Sequence, residues 1–162
     1  WELPTDDVRL AEIAAALGAD VPACLASRTT IGLARGDRLE PIRDHGLGGT
    51  PVLLVNPRVS LATSSVFAGW DGEDRGALGA GDALAIARAG RNDLAAPAKA
   101  LLPVIGDVLN LLADQPDVLL ARMSGSGATC FALFDSLAAR DAADAMVDAM
   151  HPRCWRFATV LR

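Results

Sequence analysis

Residues 121–134, with the sequence ARMSGSGATCFALF, restrict the fold more than any other stretch of this chain. Apolar, β-favouring residues lie on both sides of the glycine-rich run SGSG at 124–127, and a helix start follows only after Phe134. A dinucleotide-binding fingerprint needs a third glycine and a helix directly after the loop, and neither is present here. The segment therefore predicts two antiparallel strands that are joined by a glycine-rich loop.

Predicted strands and helices around this hairpin follow one another in the order β-α-β-β-α-β. The order is typical of the ferredoxin-like split arrangement, here with extra helices in the first crossover, and it predicts an antiparallel sheet with helices on one face. Hydrophobic periodicity predicts a strand at 52–55, helices over 63–70, 81–89 and 97–113, the hairpin strands, a helix over 136–150 and a last strand over 154–160.

The residues before this pattern predict a second, smaller part. An amphipathic helix over 8–17 ends at Gly18, a Pro-containing bend follows, and residues 29–42 predict a hairpin that turns at Arg35-Gly36-Asp37. Because 45–50 is a glycine-rich linker, we predict an α+β chain with domains 1–48 and 49–162.

Composition excludes several classes of protein. The chain of 162 residues is 51% hydrophobic and 22% charged, unlike disordered segments, and no run approaches the roughly 20 apolar residues of a membrane span. A net charge of −5 argues against a nucleic-acid partner. The odd, widely spaced cysteines match neither a disulfide framework nor a zinc site, so we expect a cytoplasmic protein: Cys24, Cys130 and Cys154. The opening WELPTDD is no signal sequence, and we expect it to lie inside a longer chain.

The glycine loop has two interpretations on spacing alone. It is either an ordinary tight hairpin, for which glycines with positive φ suffice, or a nest whose backbone N–H groups converge on a phosphate. Asp20, in LGADVP, likewise is either a turn residue or a general base that its apolar neighbours bury. Asp20 comes just after a predicted helix end, where the partial negative charge of the terminal carbonyl groups repels a carboxylate.

A third segment, 56–70, leads from a strand into a helix that begins with hydroxyl residues. Thr63 or Ser64 is predicted to cap this helix. Phe67 is either a core residue or an aromatic ring at a cleft edge, where it stacks on a nucleobase.

Four segments in this order resemble the 4-diphosphocytidyl-2-C-methyl-D-erythritol kinases of the GHMP kinase superfamily: LGADVPACLASRTTIGLARGDRLEPI, VNPRVSLATSSVF, GRNDL and RMSGSGATCFALF. The resemblance implies a remnant of the N-terminal lobe, which is ribosomal S5 domain 2-like, followed by the ferredoxin-like GHMP C-terminal domain. The stretch GLARGDRLEP departs from the Gly-x-Gly-Glu pattern usual in that family.

The resemblance also implies residue roles. Asp20 matches the catalytic aspartate that takes the proton of the substrate hydroxyl, Phe67 matches the ring that stacks on cytosine, and Thr63 matches a hydroxyl of that pocket. The loop beside the phosphates and the acceptor corresponds to Ser124, Gly125, Ser126 and Gly127.

The implied reaction is phosphorylation of the 2-hydroxyl of 4-diphosphocytidyl-2-C-methyl-D-erythritol by ATP with Mg²⁺, in non-mevalonate isoprenoid synthesis. Metal ligands and oligomeric state are not predicted. The family's ATP-phosphate loop and its catalytic lysine have no match here, so we expect this chain to be inactive alone. Two alternatives remain open: another GHMP small-molecule kinase, and a non-catalytic ferredoxin-like module that binds a small anion.

Overall fold

The computed structural model describes residues 7–33, 36, 38–42 and 46–161. They form two compact units, which divide between Gly46 and Leu47. Among the helices of these residues, none has the length and apolar character needed to cross a bilayer.

The first unit combines two helices with a two-stranded antiparallel sheet. Asp7 begins the first helix, because its carboxylate accepts a hydrogen bond from the backbone N–H of Arg9 at 2.9 Å, and the helix ends at Gly18 as predicted. The elements are α1 Val8–Leu17, α2 Val21–Ala26, β1 Thr30–Leu33 and β2 Arg38–Pro41.

Helix α2 was not predicted, since its proline suggested a bend. Pro22 lies in the first turn of the helix, where a backbone N–H would have no intrahelical partner, so the ring costs nothing there. The predicted hairpin is present, with Thr30 opposite Pro41 and Leu33 opposite Arg38. Of its predicted turn residues, Arg35 and Asp37 lie outside the described residues.

The second unit contains a four-stranded antiparallel sheet in the order β4-β5-β3-β6. This order confirms the predicted α+β, ferredoxin-like arrangement with extra helices in the first crossover. The elements are β3 Pro51–Asn56, α3 Thr63–Ala68, α4 Ala83–Ala89, α5 Ala95–Leu101, α6 Val104–Ala113, β4 Val118–Met123, β5 Cys130–Phe134, α7 Leu137–Met150 and β6 Trp155–Val160.

The single helix predicted over 97–113 is wrong. Leu102 has φ −138° and ψ 84°, and Pro103 then starts a new helix, so the stretch is divided into α5 and α6. The cause is steric, because a proline ring disfavours helical backbone at the residue before it.

The core lies between one face of the sheet and helices α6 and α7. Buried residues of α6 recur at Ile105, Val108 and Leu112, which is the spacing of one helical face. Burial raises the pKa of the Cys130 thiol to about 12, so this cysteine is a small neutral core residue. The fully buried side chains of the strands and of α7 include Leu53, Val55, Phe134 and Val147.

Three of the connecting segments lie at one end of the sheet. Asn56, at the end of β3, is opposite Trp155, at the start of β6, and Met123, at the end of β4, is opposite Cys130. The segment after β3, the β4–β5 loop and the turn before β6 therefore all lie at this end.

Candidate functional site

The β4–β5 loop is a compact turn with exposed residues at its tip. The backbone N–H of Ser124 donates to the carbonyl of Thr129 at 2.8 Å, and that of Gly127 donates to the carbonyl of Ser124 at 2.9 Å. Gly125 and Gly127 have φ of +53° and +91°, in the left-handed region that favours glycine. The N–H groups of Gly125 and Ser126 donate to no described residue, so two adjacent donors at the tip are left for an anion.

The side chain of Asn92 holds this loop in place. Its Nδ2 donates to the carbonyl of Met123 at 2.9 Å and to the carbonyl of Gly125 at 2.8 Å, while its Oδ1 accepts from the N–H of Leu94 at 3.0 Å. One amide group thus satisfies two loop carbonyls and fixes the loop to the segment between α4 and α5.

Helix α3 touches the same loop through two hydroxyl groups. The Oγ1 of Thr63 and the Oγ of Ser126 are 3.0 Å apart, a hydrogen-bond distance between residues that are 63 positions apart in sequence. Neither Thr63 nor Ser64 caps the helix, because the N-cap residue is Ala62 and it makes no side-chain cap bond.

Phe67 lies one turn after Thr63 on α3, and 52% of it is exposed. The buried residue of this helix is Val66, so Phe67 is not a core residue. An exposed ring, a hydroxyl group and the glycine loop are therefore combined on one local surface of the second unit.

Comparisons with known proteins show which family this chain resembles in sequence and in fold. Residues 75–152 match the family model described as GHMP kinases C terminal. The chain is 61% identical over 162 residues to a 4-diphosphocytidyl-2-C-methyl-D-erythritol kinase of Rhizorhabdus wittichii, covering 100% of this chain and 55% of the relative. A kinase of the same name from Novosphingobium aromaticivorans is 57% identical over 149 residues, covering 92% of this chain and 50% of the relative.

A crystal structure of 4-(cytidine 5'-diphospho)-2C-methyl-D-erythritol kinase superposes with a TM-score of 0.70 at 29% identity, covering 94% of this chain and 57% of that chain. The chain belongs to the GHMP kinase family. It spans about half the length of the curated relatives it matches.

Asp20 of this GHMP kinase chain lies in the first unit, between two helices. It follows Gly18, the C-cap of α1, and is itself the N-cap residue of α2. The repulsion predicted between this carboxylate and the terminal carbonyl groups of α1 is therefore offset, because the partial positive charge at the N-terminus of α2 favours a carboxylate. The predicted burial is also wrong, since Asp20 is exposed and its carboxylate bonds to no described side chain.

The other predicted residues all belong to the second unit: Thr63, Phe67, Ser124, Gly125, Ser126 and Gly127. Among them, the structure joins Thr63 directly to Ser126. A common crevice that includes Asp20 stays a prediction.

Two asparagines of the site had no predicted role. Neither Asn92 nor Asn56 was a candidate site residue on sequence grounds. Asn56 Nδ2 donates to Oγ1 of Thr129 at 2.8 Å, and its Oδ1 accepts from the N–H of Arg58 at 2.7 Å. The segments GRNDL and VNPRVSLATSSVF, which carry the family resemblance, each include one of these asparagines.

A groove of about 510 Å³ begins beside Asn92 and is bordered by Trp70. Its charges are paired with one another, because Arg75 forms ion pairs with Asp71 and with Asp93, the latter at 3.8 Å. No three His, Cys, Asp or Glu side chains of the described ranges form a group that could hold a metal ion, so we assign no residue to Mg²⁺.

Replacing Gly127 with alanine should destabilise the second unit more than replacing Gly125. Both substitutions place a Cβ at positive φ, which costs about 1–2 kcal/mol. The Cβ at Gly127 would also lie 2.9 Å from the Sδ of buried Met123 and 3.3 Å from Cδ2 of Leu61, whereas the Cβ at Gly125 meets nothing within 4 Å. We expect a total loss of about 3 kcal/mol for Gly127→Ala. Urea unfolding of both variants measures the difference, and equal losses would contradict the close contact at Gly127.

The variant Asn92→Asp should loosen the glycine loop. A carboxylate cannot donate, and it would face the carbonyl oxygens of Met123 and Gly125, so we expect a loss of about 2–4 kcal/mol. Hydrogen exchange at the N–H of Gly127 measures the loop directly. Asn110→Asp, on the exposed side of α6, is the matched control and should change stability by no more than about 0.5 kcal/mol. An unchanged exchange rate in Asn92→Asp would contradict the role of Asn92 in fixing the loop.

Proposed function

We propose that this chain is the acceptor-binding part of a kinase that transfers the γ-phosphoryl group of ATP to the 2-hydroxyl of 4-diphosphocytidyl-2-C-methyl-D-erythritol. The observation that carries the proposal is the 3.0 Å contact between Thr63 and Ser126, which joins the helix bearing Phe67 to the glycine loop. The names of the relatives, which cover this chain at high identity, support the same activity.

In this proposal Phe67 provides the stacking surface for cytosine. Phe67 is 52% exposed and is carried on α3, so about half of its surface is available to a planar base. Stacking on an aromatic ring contributes about 1–3 kcal/mol per base. Thr63 supplies a polar group one helical turn away, so the base and the ribose or diphosphate next to it are recognised from one helix face.

The glycine loop in this proposal lies beside the transferred phosphoryl group. Phosphoryl transfer asks a protein mainly for positioning and for stabilisation of negative charge on the phosphate oxygens. The N–H groups of Gly125 and Ser126 are suited to that task, because they have no described acceptor and the loop is fixed by Asn92.

Asp20 acts as the general base of the proposed reaction. Its carboxylate takes the proton of the 2-hydroxyl as that oxygen bonds to the γ-phosphorus, and the bond to the leaving ADP oxygen breaks. No described ion pair competes for this carboxylate, so it is available to the substrate. We assign residues 1–48 to the N-terminal GHMP lobe and 49–162 to the C-terminal domain, with the main ATP-phosphate loop elsewhere in the complete protein.

The partners that we propose are therefore ATP and a cytidine-diphosphate substrate, and no nucleic acid. The cysteines are free thiols of the kind that a reducing compartment maintains, so we assign the activity to the cytoplasm: Cys24, Cys130 and Cys154.

Asp20→Asn in the complete protein should lower kcat about 10²–10⁴-fold, the usual contribution of a general base. Asp20 makes no side-chain cap bond to α2, so asparagine removes no hydrogen bond there and the melting temperature should be nearly unchanged. A coupled assay of ADP release, with and without the cytidyl substrate, measures the effect. Asp114→Asn, at the exposed end of α6, is the control and should retain full activity. Turnover that is insensitive to the change at Asp20 would remove the proposal.

Phe67→Ala should raise KM for the cytidyl substrate about tenfold or more while KM for ATP stays constant, because only the former substrate stacks on the ring. Phe67→Tyr keeps the aromatic face and should remain near the parent value. Leu137→Ala is the control, since Leu137 is 53% exposed at the start of α7. An equal rise in KM for both substrates would favour another GHMP kinase whose substrate has no base.

A further inference from the structure

A second groove, of about 910 Å³, lies at the same end of the sheet and has no part in the proposed reaction. None of the candidate site residues lines it. Its lining includes three arginines and a tryptophan: Arg58, Arg153, Arg156 and Trp155. The volume is within the range of small-molecule sites, which are commonly about 300–1,000 Å³.

Two cations in this groove have no partner among the described residues. Arginines of the second unit mostly donate to carboxylates or carbonyls: Arg75, Arg88, Arg91, Arg140 and Arg156. Arg58 and Arg153, by contrast, are exposed and form no ion pair or side-chain hydrogen bond within the described ranges. Both of these unpaired guanidinium groups border the same groove.

The one carboxylate of the groove does not neutralise them. Asp148 is 2.8 Å from Nη2 of Arg156, and Nε of Arg156 donates to Asp144 at 2.8 Å. Arg156 is thus shared by two carboxylates. When Asp144 is counted with the charged residues of the groove, three guanidinium groups face two carboxylates, which leaves an excess of one positive charge in a chain whose net charge is −5.

The backbone at Arg58 is fixed in an uncommon conformation. Its φ is +56°, which is unusual for a residue with a side chain, and its N–H donates to Oδ1 of Asn56 at 2.7 Å. Asn56 is in turn anchored to Thr129 of the loop before β5. Backbone conformations of this kind cost free energy and are common at ligand sites. The hydrogen bonds of Asn56 hold the Cα of Arg58 in this conformation beside the groove.

An aromatic and apolar border accompanies the cations. The rings of Trp155 and Phe157 stack, with centroids 6.0 Å apart and an angle of 7° between their planes, and 39% of Trp155 remains exposed. Pro57 and Val104 add apolar surface. The groove therefore combines a flat ring for an organic group with guanidinium groups, whose planar forks suit phosphate oxygens.

We propose that this groove binds a phosphorylated small molecule, with Arg58 and Arg153 on its phosphate and the Trp155 ring against its organic part. The site is independent of the proposed kinase reaction, and its failure would leave that reaction untouched.

The test titrates the 162-residue chain with phenyl phosphate and, separately, with inorganic phosphate at constant ionic strength. The indole N–H signal of Trp155 in NMR spectra, assigned with Trp155→Leu, reports binding in the groove. We expect saturable shifts with both probes and tighter binding of phenyl phosphate. The absence of a saturable shift would overturn the site, and equal affinities would overturn the role of the ring.

Charge-matched variants separate this site from general electrostatic attraction. The double variant Arg58→Gln/Arg153→Gln should raise Kd about tenfold or more, which is the loss of two charge-assisted contacts. Arg28→Gln/Arg38→Gln removes the same charge from the first unit and should change Kd by less than about twofold. Equal weakening in both double variants would overturn the proposal.

The variant Trp155→Leu tests the role of the ring. Calorimetry should give a weaker Kd for phenyl phosphate and an unchanged Kd for inorganic phosphate. An unchanged Kd for both probes would remove the ring from the site.

Discussion

The antiparallel pairing of β3 on both of its sides is the constraint on which the second unit depends. The strand bonds to β5 on one side and to β6 on the other, and its buried residues Leu53 and Val55 anchor the core. Because both neighbours are antiparallel to it, the end of β3 meets the beginnings of β5 and β6. Three connecting segments are brought together there, and they supply the glycine loop and most of the lining of the cationic groove.

Side-chain hydrogen bonds fix the positions of the segments at this end of the sheet. Asn56 fixes the segment after β3, Asn92 fixes the β4–β5 loop, and the Thr63–Ser126 contact joins the two. Each bond connects residues more than 30 positions apart. None of them stabilises the fold as much as the core does, but each one limits the positions that a loop can adopt, which is what a site for phosphoryl transfer requires.

The sequence was sufficient to predict the sheet because each strand has a clear apolar pattern and the loop between β4 and β5 is short. Local steric effects caused the errors. Pro103 divided a predicted helix, whereas Pro22 was compatible with one, and only the position of each proline relative to a helix start separates the two cases. Periodicity cannot detect that difference, since both prolines lie in apolar surroundings.

The candidate site was predictable to a different degree for each kind of residue. Phe67 stands out because only 4% of the residues are aromatic, and the glycine loop stands out because β-favouring residues flank it on both sides. Asn56 and Asn92 act through side-chain amides on distant backbone groups, and no spacing rule reports such a bond in advance. Arg58 is similar, since its importance follows from a positive φ and from the absence of a described partner.

The segment 57–62 therefore connects the cationic groove to the glycine loop. At its start, Asn56 holds the backbone of Arg58 beside a cationic groove, and directly after it Thr63 contacts the glycine loop. Both ends are fixed to the loop between β4 and β5, one through Thr129 and the other through Ser126. A ligand that displaced the side chain of Asn56 or of Thr63 would therefore break a hydrogen bond to this same loop.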